Sequence, residues 1–217
     1  MSTPPRRMKT TLPTNPSRTL AQALSLLCHP LTMVVWLAFV TMFGFVGKFT
    51  YPAPLRWYVV GTVTFMTVVV PSLFMLLLRL FGVSRSGEGG AQRTRIMMLV
   101  AVAVCYTCCG WVFDDIVVLY LVRKMLYSAT AVVALLLLFE LFYPLDCHTT
   151  AMGSLLGMMW VLLLVGNVSL LIPFIICVAL VGALATARLY LTECRIGSLA
   201  WGALLGFALS AVLLVVI

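Results

Sequence analysis

Two short polar clusters interrupt the apolar runs in the second half of the chain. One is Asp146-Cys147-His148; the other runs from Arg188 to Arg195 and contains Cys194. Each stands directly before an apolar helix candidate, and a third basic pair, Arg93 and Arg95, precedes another. Arginine grips phosphate oxygens through paired N–H donors. A helix N-terminus adds positive potential. Histidine gives or takes a proton near neutral pH, typically a ~10²–10⁴-fold effect in catalysis. Arg93, Arg95, Arg188 and Arg195 with His148 are therefore the ingredients of a phosphate-handling site.

Phosphoryl transfer through a protein intermediate also needs a nucleophile. Cys194 carries two readings: a thiol whose pKa is lowered by Arg188 and Arg195, or an interfacial residue that only packs. His148 also carries two: a proton donor, or a loop residue hydrogen-bonded to Asp146 or Glu140. The only other histidine, His29, opens the first apolar stretch, and nothing in the sequence places it beside Arg188. No metal-ligand set and no cofactor are expected. The Gly-rich stretch 83–95 lacks the GxxxxGK[ST] spacing of a nucleotide-binding loop.

The elements that must position these residues are membrane spans. Of 217 residues, 63% are hydrophobic and 9% charged, against about 25% charged in soluble domains. The apolar runs are long enough to cross a bilayer. The fold class expected is all-α: a polytopic bundle of about seven transmembrane helices, at 23–46, 57–82, 96–113, 125–143, 151–167, 169–187 and 197–217. In the fourth, Arg123 and Lys124 are costly at a helix centre (~2.5–3.5 kcal/mol each), so 116–124 reads as an interfacial lead-in. Pro71 removes a ladder hydrogen bond and should kink the second span.

Residues 1–20 hold four Pro and four basic residues. They read as a solvated, disordered tail ahead of a transmembrane domain over 21–217. No small-x-small cleavage site follows the first apolar run, so that run should stay in the protein. The net charge of +8 is explained by basic residues at span ends and not by nucleic acid. Seven spans put ten Lys and Arg on the tail side and four on the other, which argues for a cytoplasmic N-terminus. All three polar clusters then share that side. Cys105 and Cys108 have C-x-x-C spacing but lie inside an apolar run, where packing is the simpler role. Gly153-x3-Gly157 and Gly202-x3-Gly206 put small residues on one face of two spans. Such faces suit close packing within the bundle or, second, a homo-oligomer.

From about residue 57 onward the chain resembles the type-2 phosphatidic acid phosphatase superfamily, membrane enzymes that remove phosphate from lipid phosphates. The likeness is to a compact bacterial branch. His148 falls where the family's first, acid histidine lies. Arg188 falls where the arginine of its last motif lies, with Ala187 in place of the preceding serine. Six residues beyond Arg188 the family has its nucleophilic histidine and this chain has Cys194. Four further on the family has the orienting aspartate and this chain has Ser198. Of the first motif only Arg93 and Arg95 are present. The resemblance implies a lipid-phosphate-binding protein of the bacterial inner membrane with little or no phosphatase activity. Its expected partners are membrane lipids. The competing reading is a non-catalytic assembly protein that binds lipid or a protein partner. Transport ranks last, because Pro71 and Pro173 do not sit in repeated surroundings.

Overall fold

A computed structural model describes residues 29–44, 51–80, 90–116, 119–140, 145–165, 170–191 and 196–216. Among them there is no strand, and the helices follow one another as α1 (Pro30–Gly44), α2 (Ala53–Thr64), a π-helical turn (Phe65–Val69), α3 (Val70–Leu80), α4 (Gly90–Val112), α5 (Tyr120–Glu140), α6 (Cys147–Leu164), α7 (Leu171–Leu191) and α8 (Ile196–Val216). Six stretches are long and apolar enough to cross a membrane: Ala53–Leu78 through the π turn, Gln92–Val112, Tyr120–Glu140, Cys147–Leu164, Leu171–Tyr190 and Ile196–Val216. The protein is an integral membrane, all-α bundle. α1 has 15 residues, about 22 Å at 1.5 Å per residue and shorter than a ~30 Å hydrocarbon core. The rest of the expected first span, and the tail, lie outside the described residues.

Helix is the only local structure these sequences can adopt in lipid, since every backbone N–H and C=O must be satisfied within its own segment. The hydroxyls in the spans obey the same constraint. Thr41, Thr64, Thr67, Thr107 and Thr130 each donate to the carbonyl four residues earlier, at 2.7–2.9 Å. Just before Pro71, where the sequence leads one to expect a kink, the helix widens into the π turn. Residue 67, whose carbonyl the Pro71 ring would strike in a regular α-helix, lies inside that widened turn.

Several helices begin earlier than the sequence expectation and α7 runs further, while α4 stops at Val112 and α6 at Leu164, short of the expected 113 and 167. α5 starts at Tyr120, so Arg123 and Lys124 lie within its first five residues rather than in a lead-in. They are kept at the rim: Arg123 pairs with Asp114, and both cations lie over the Tyr120 ring, at 5.3 and 4.8 Å. α6 begins at Cys147 and α7 continues to Leu191, so His148 and Arg188 are helix-end residues and not loop residues. Capping and tertiary pairing extend these ends beyond the point where apolar residues run out.

The tightest contact in the bundle is α6 on α8, built by the two Gly-x3-Gly faces meeting each other. A Cβ on Gly153 would lie 2.1 Å from the Ala203 carbonyl oxygen, and one on Gly206 would lie 2.2 Å from that of Thr150. The backbones touch where side chains would otherwise hold them apart. Ser210 Oγ donates to the Ser154 carbonyl across the same seam at 2.9 Å. α1 packs on α6 beside this pair, and α4, α5 and α7 complete the core.

Candidate functional site

The N-terminus of α6 is the hub of the polar end. Asp146 is its N-cap: one carboxylate oxygen accepts from the Thr149 N–H at 3.0 Å. Its carbonyl accepts from the Thr149 and Thr150 hydroxyls at 3.1 and 2.9 Å. The spacing Asp-x-x-Thr thus closes the first turn of the helix. Gly202 of α8 leaves room for this turn, since a Cβ there would meet the Thr150 hydroxyl at 2.7 Å.

The other Asp146 oxygen accepts from Arg188 at the end of α7, through Nε at 3.1 Å and Nη2 at 2.5 Å. Both side chains are sheltered, 17% exposed for Arg188 and 3% for Asp146. Arg95, five residues into α4, spans the gap to α5. Its Nη2 donates to the Leu145 carbonyl at 2.7 Å, and its Nη1 lies 3.4 Å from the buried Glu140 carboxylate. Gln92 donates to the Glu140 carbonyl at 3.3 Å. Arg95 keeps 38% of its side chain exposed, so part of the five-donor guanidinium still faces outward.

The two histidines of the chain meet here. The His29 and His148 rings are 5.3 Å apart, edge to face at 86°. His148 Nδ1 is 3.4 Å from Cys147 Sγ. Asp146, Arg188, Arg95 and His29 are all near enough to interact with His148 electrostatically. His29 precedes Pro30 at the start of α1, where its carbonyl accepts from the Thr32 N–H and hydroxyl at 2.9 and 2.8 Å. Its Nδ1 accepts from the Leu31 N–H at 3.3 Å. That bond assigns the proton of the neutral ring to Nε2.

Arg95, His148 and Arg188, singled out from the sequence, are therefore brought to one end of the bundle. Arg93 is exposed on the first turns of α4 and belongs to none of these contacts. Cys194 and Arg195 lie outside the described residues; Ser198 is buried in the first turn of α8. Among the described contacts no hydrogen bond joins His148 to Asp146 or Glu140; Arg188 and Arg95 hold those carboxylates, and Asp146 acts on His148 through its charge. The participation of His29 is the feature the sequence concealed, being separated from His148 by more than a hundred residues.

Beneath the cluster lies a cavity of about 70 Å³ between α1, α4, α5 and α6. Arg95 and Cys147 stand at its polar end, while Val34, Val102 and Val133 are among its otherwise apolar walls. No family model, curated protein or solved structure matches this chain.

Proposed function

We propose that this integral membrane protein holds the phosphate headgroup of a lipid at its polar helix-end cluster and does not hydrolyse it. The observation that carries the reading is Arg95, a part-exposed side chain that lines a largely apolar cavity, with Arg188 and His148 near it. The phosphate oxygens take donors from Arg95 and from the outward rim of the cluster; the hydrocarbon enters between the helices.

Weak turnover follows from the nitrogen chemistry. In-line attack needs a ring nitrogen with an available lone pair and a carboxylate holding the opposite N–H. The Nδ1 lone pair of His29 is occupied by the Leu31 N–H, leaving a proton on Nε2. Both buried carboxylates of the cluster are paired with arginine. The family position of the nucleophile is Cys194 and that of its orienting acid is Ser198. His29 is therefore suited to donating to a phosphate oxygen, not to attacking phosphorus.

The second reading is a purely structural membrane protein, and the Arg188–Asp146 pair favours it, because an arginine satisfied within the chain is a helix clamp. Native mass spectrometry of the detergent-purified protein separates the two. Dioctanoyl phosphatidic acid should be retained in preference to dioctanoylglycerol, and Arg95→Gln should remove the preference. Equal retention of both lipids, unchanged in Arg95→Gln, would leave the structural reading standing.

A further inference from the structure

His29 holds the start of α1 together. Pro30 has no N–H, and the other amide donors of the first turn all end on His29. Thr32 and Met33 donate to its carbonyl at 2.9 and 3.3 Å, and Leu31 donates to its Nδ1 at 3.3 Å. The same ring fastens this end to α6, through the edge-to-face contact with His148. A second tie runs to α4, whose buried Tyr106 donates its hydroxyl to the Pro30 carbonyl at 3.1 Å. Pro30 and Cys147, the sequence neighbours of the two histidines, both line the cavity of about 70 Å³, as does Met33. The histidine pair therefore stands beside the cavity, on the residue that organises the first turn of α1.

We infer that the His29–His148 contact is a proton-operated latch: with both rings neutral it holds the start of α1 on α6, and acid releases it and opens the neighbouring cavity. The neutral His29 ring carries its proton on Nε2, so a further proton goes to Nδ1, the atom that holds the Leu31 N–H. Charging the ring thus breaks its own cap. An edge-to-face pair sets the positive edge of one ring on the negative face of the other. Two imidazolium rings 5.3 Å apart repel instead. Among the described residues the surroundings offer no spare anion. Arg188 of α7 and Arg95 of α4 bear on His148 against a further positive charge, and Asp146, the carboxylate that favours one, is held by Arg188. α5 brings Glu140 to this end, already paired with Arg95. Cys147 of α6 and Tyr106 of α4 add a thiol and a phenol, which acid leaves unchanged. α2 also packs on α1, but its ionisable residues, Arg56 and Tyr58, lie at the opposite end, where Arg56 stands over Phe43. Burial lowers the His29 pKa from the ordinary imidazole value. The closed form therefore takes protons less readily than an opened one with its rings in water. The latch holds above about pH 6.5 and weakens as the pH falls below it. One pH unit lower, each ring protonated only in the open form favours opening about tenfold, and two rings favour it about 100-fold.

The test is hydrogen–deuterium exchange of the full-length protein in detergent at about pH 8 and about pH 5.5, on either side of the imidazole range. Each rate is divided by the intrinsic exchange rate at that pH. In wild type, protection at Leu31, Thr32 and Met33 should fall about tenfold or more on acidification, while the α6–α8 seam around Gly206 keeps its protection. His148→Phe keeps a ring for His29 to lie against and removes one titrating group, so the fall should shrink. In the double variant His29→Gln with His148→Gln, which has no imidazole, protection at these amides should not depend on pH. Equal wild-type protection at both pH values would overturn the latch. So would an acid response undiminished in the double variant, which would put the proton on Asp146 or Glu140. Protection lost along α8 in step with α1 would show general acid unfolding, and would overturn it as well. The wild-type profile requires no substitution, so the latch can be refuted even if a variant fails to fold.

Discussion

Replacing Asp146 removes two interactions at once, and they can be separated. Asp146→Asn keeps an oxygen for the Thr149 N–H, since asparagine caps about as well as aspartate. It removes the charge that holds Arg188, whose side chain is only 17% exposed. Leaving one partner of a sheltered ion pair uncompensated costs about 3–5 kcal/mol when burial is complete, and the residual exposure of Arg188 puts this case near ~3 kcal/mol. Asp146→Ala loses the cap as well, about 1 kcal/mol more, for a total near ~4 kcal/mol. Arg188→Gln on the Asp146→Asn background should recover part of the loss, because an amide pair no longer buries a bare charge. A coupling of ~1–3 kcal/mol is expected for residues in direct contact. The assay is thermal unfolding in detergent for wild type, the singles and the double. At roughly 2–4 °C per kcal/mol for a chain of this size, Asp146→Asn should melt ~6–12 °C low and Asp146→Ala lower still. Salt should change these differences little, since a sheltered pair is weakly screened. An Asp146→Asn protein melting with wild type, together with zero coupling to Arg188, would refute the view that this pair ties α7 to α6.

Three further outcomes are expected. Gly153→Ala and Gly206→Ala should each disrupt folding, because the new Cβ would stand 2.1–2.2 Å from a backbone oxygen of the facing helix. Gly61→Ala and Gly182→Ala, where nothing lies within 4 Å, should be neutral or stabilising by up to ~1 kcal/mol; melting temperatures of the four variants decide this. Reporter fusions after residues 90 and 147 should signal from the cytoplasm, and those after 50 and 115 from the opposite side, in line with ten basic residues against four; a residue-90 reporter found outside reverses the topology. Phosphate release from phosphatidic acid, phosphatidylglycerol phosphate and undecaprenyl pyrophosphate should be lower than a working histidine site provides by on the order of 10⁶. Robust turnover abolished by Cys194→Ala would make Cys194 the nucleophile.

The amino-acid sequence by itself determined that this is a bundle of membrane helices. Apolar runs of bilayer length leave no alternative to helix, because lipid offers no partner for an open backbone. The Gly-x3-Gly pairs were legible as close-packing faces for the same reason, since only glycine lets two backbones touch as Gly153 and Ala203 do. The alternation of spans already put Arg95, His148 and Arg188 on one side. What the tertiary structure alone decided is who partners whom. These helices are apolar nearly all round, so no amphipathic stripe announces which face meets which neighbour. The approach of His29 to His148 depends on α1 packing against α6, and the allotment of Glu140 to Arg95 and Asp146 to Arg188 depends on where α5 and α7 end. Charges that are few and confined to helix ends pair with whatever the packing of the apolar bodies brings alongside, and that packing is a property of the whole bundle.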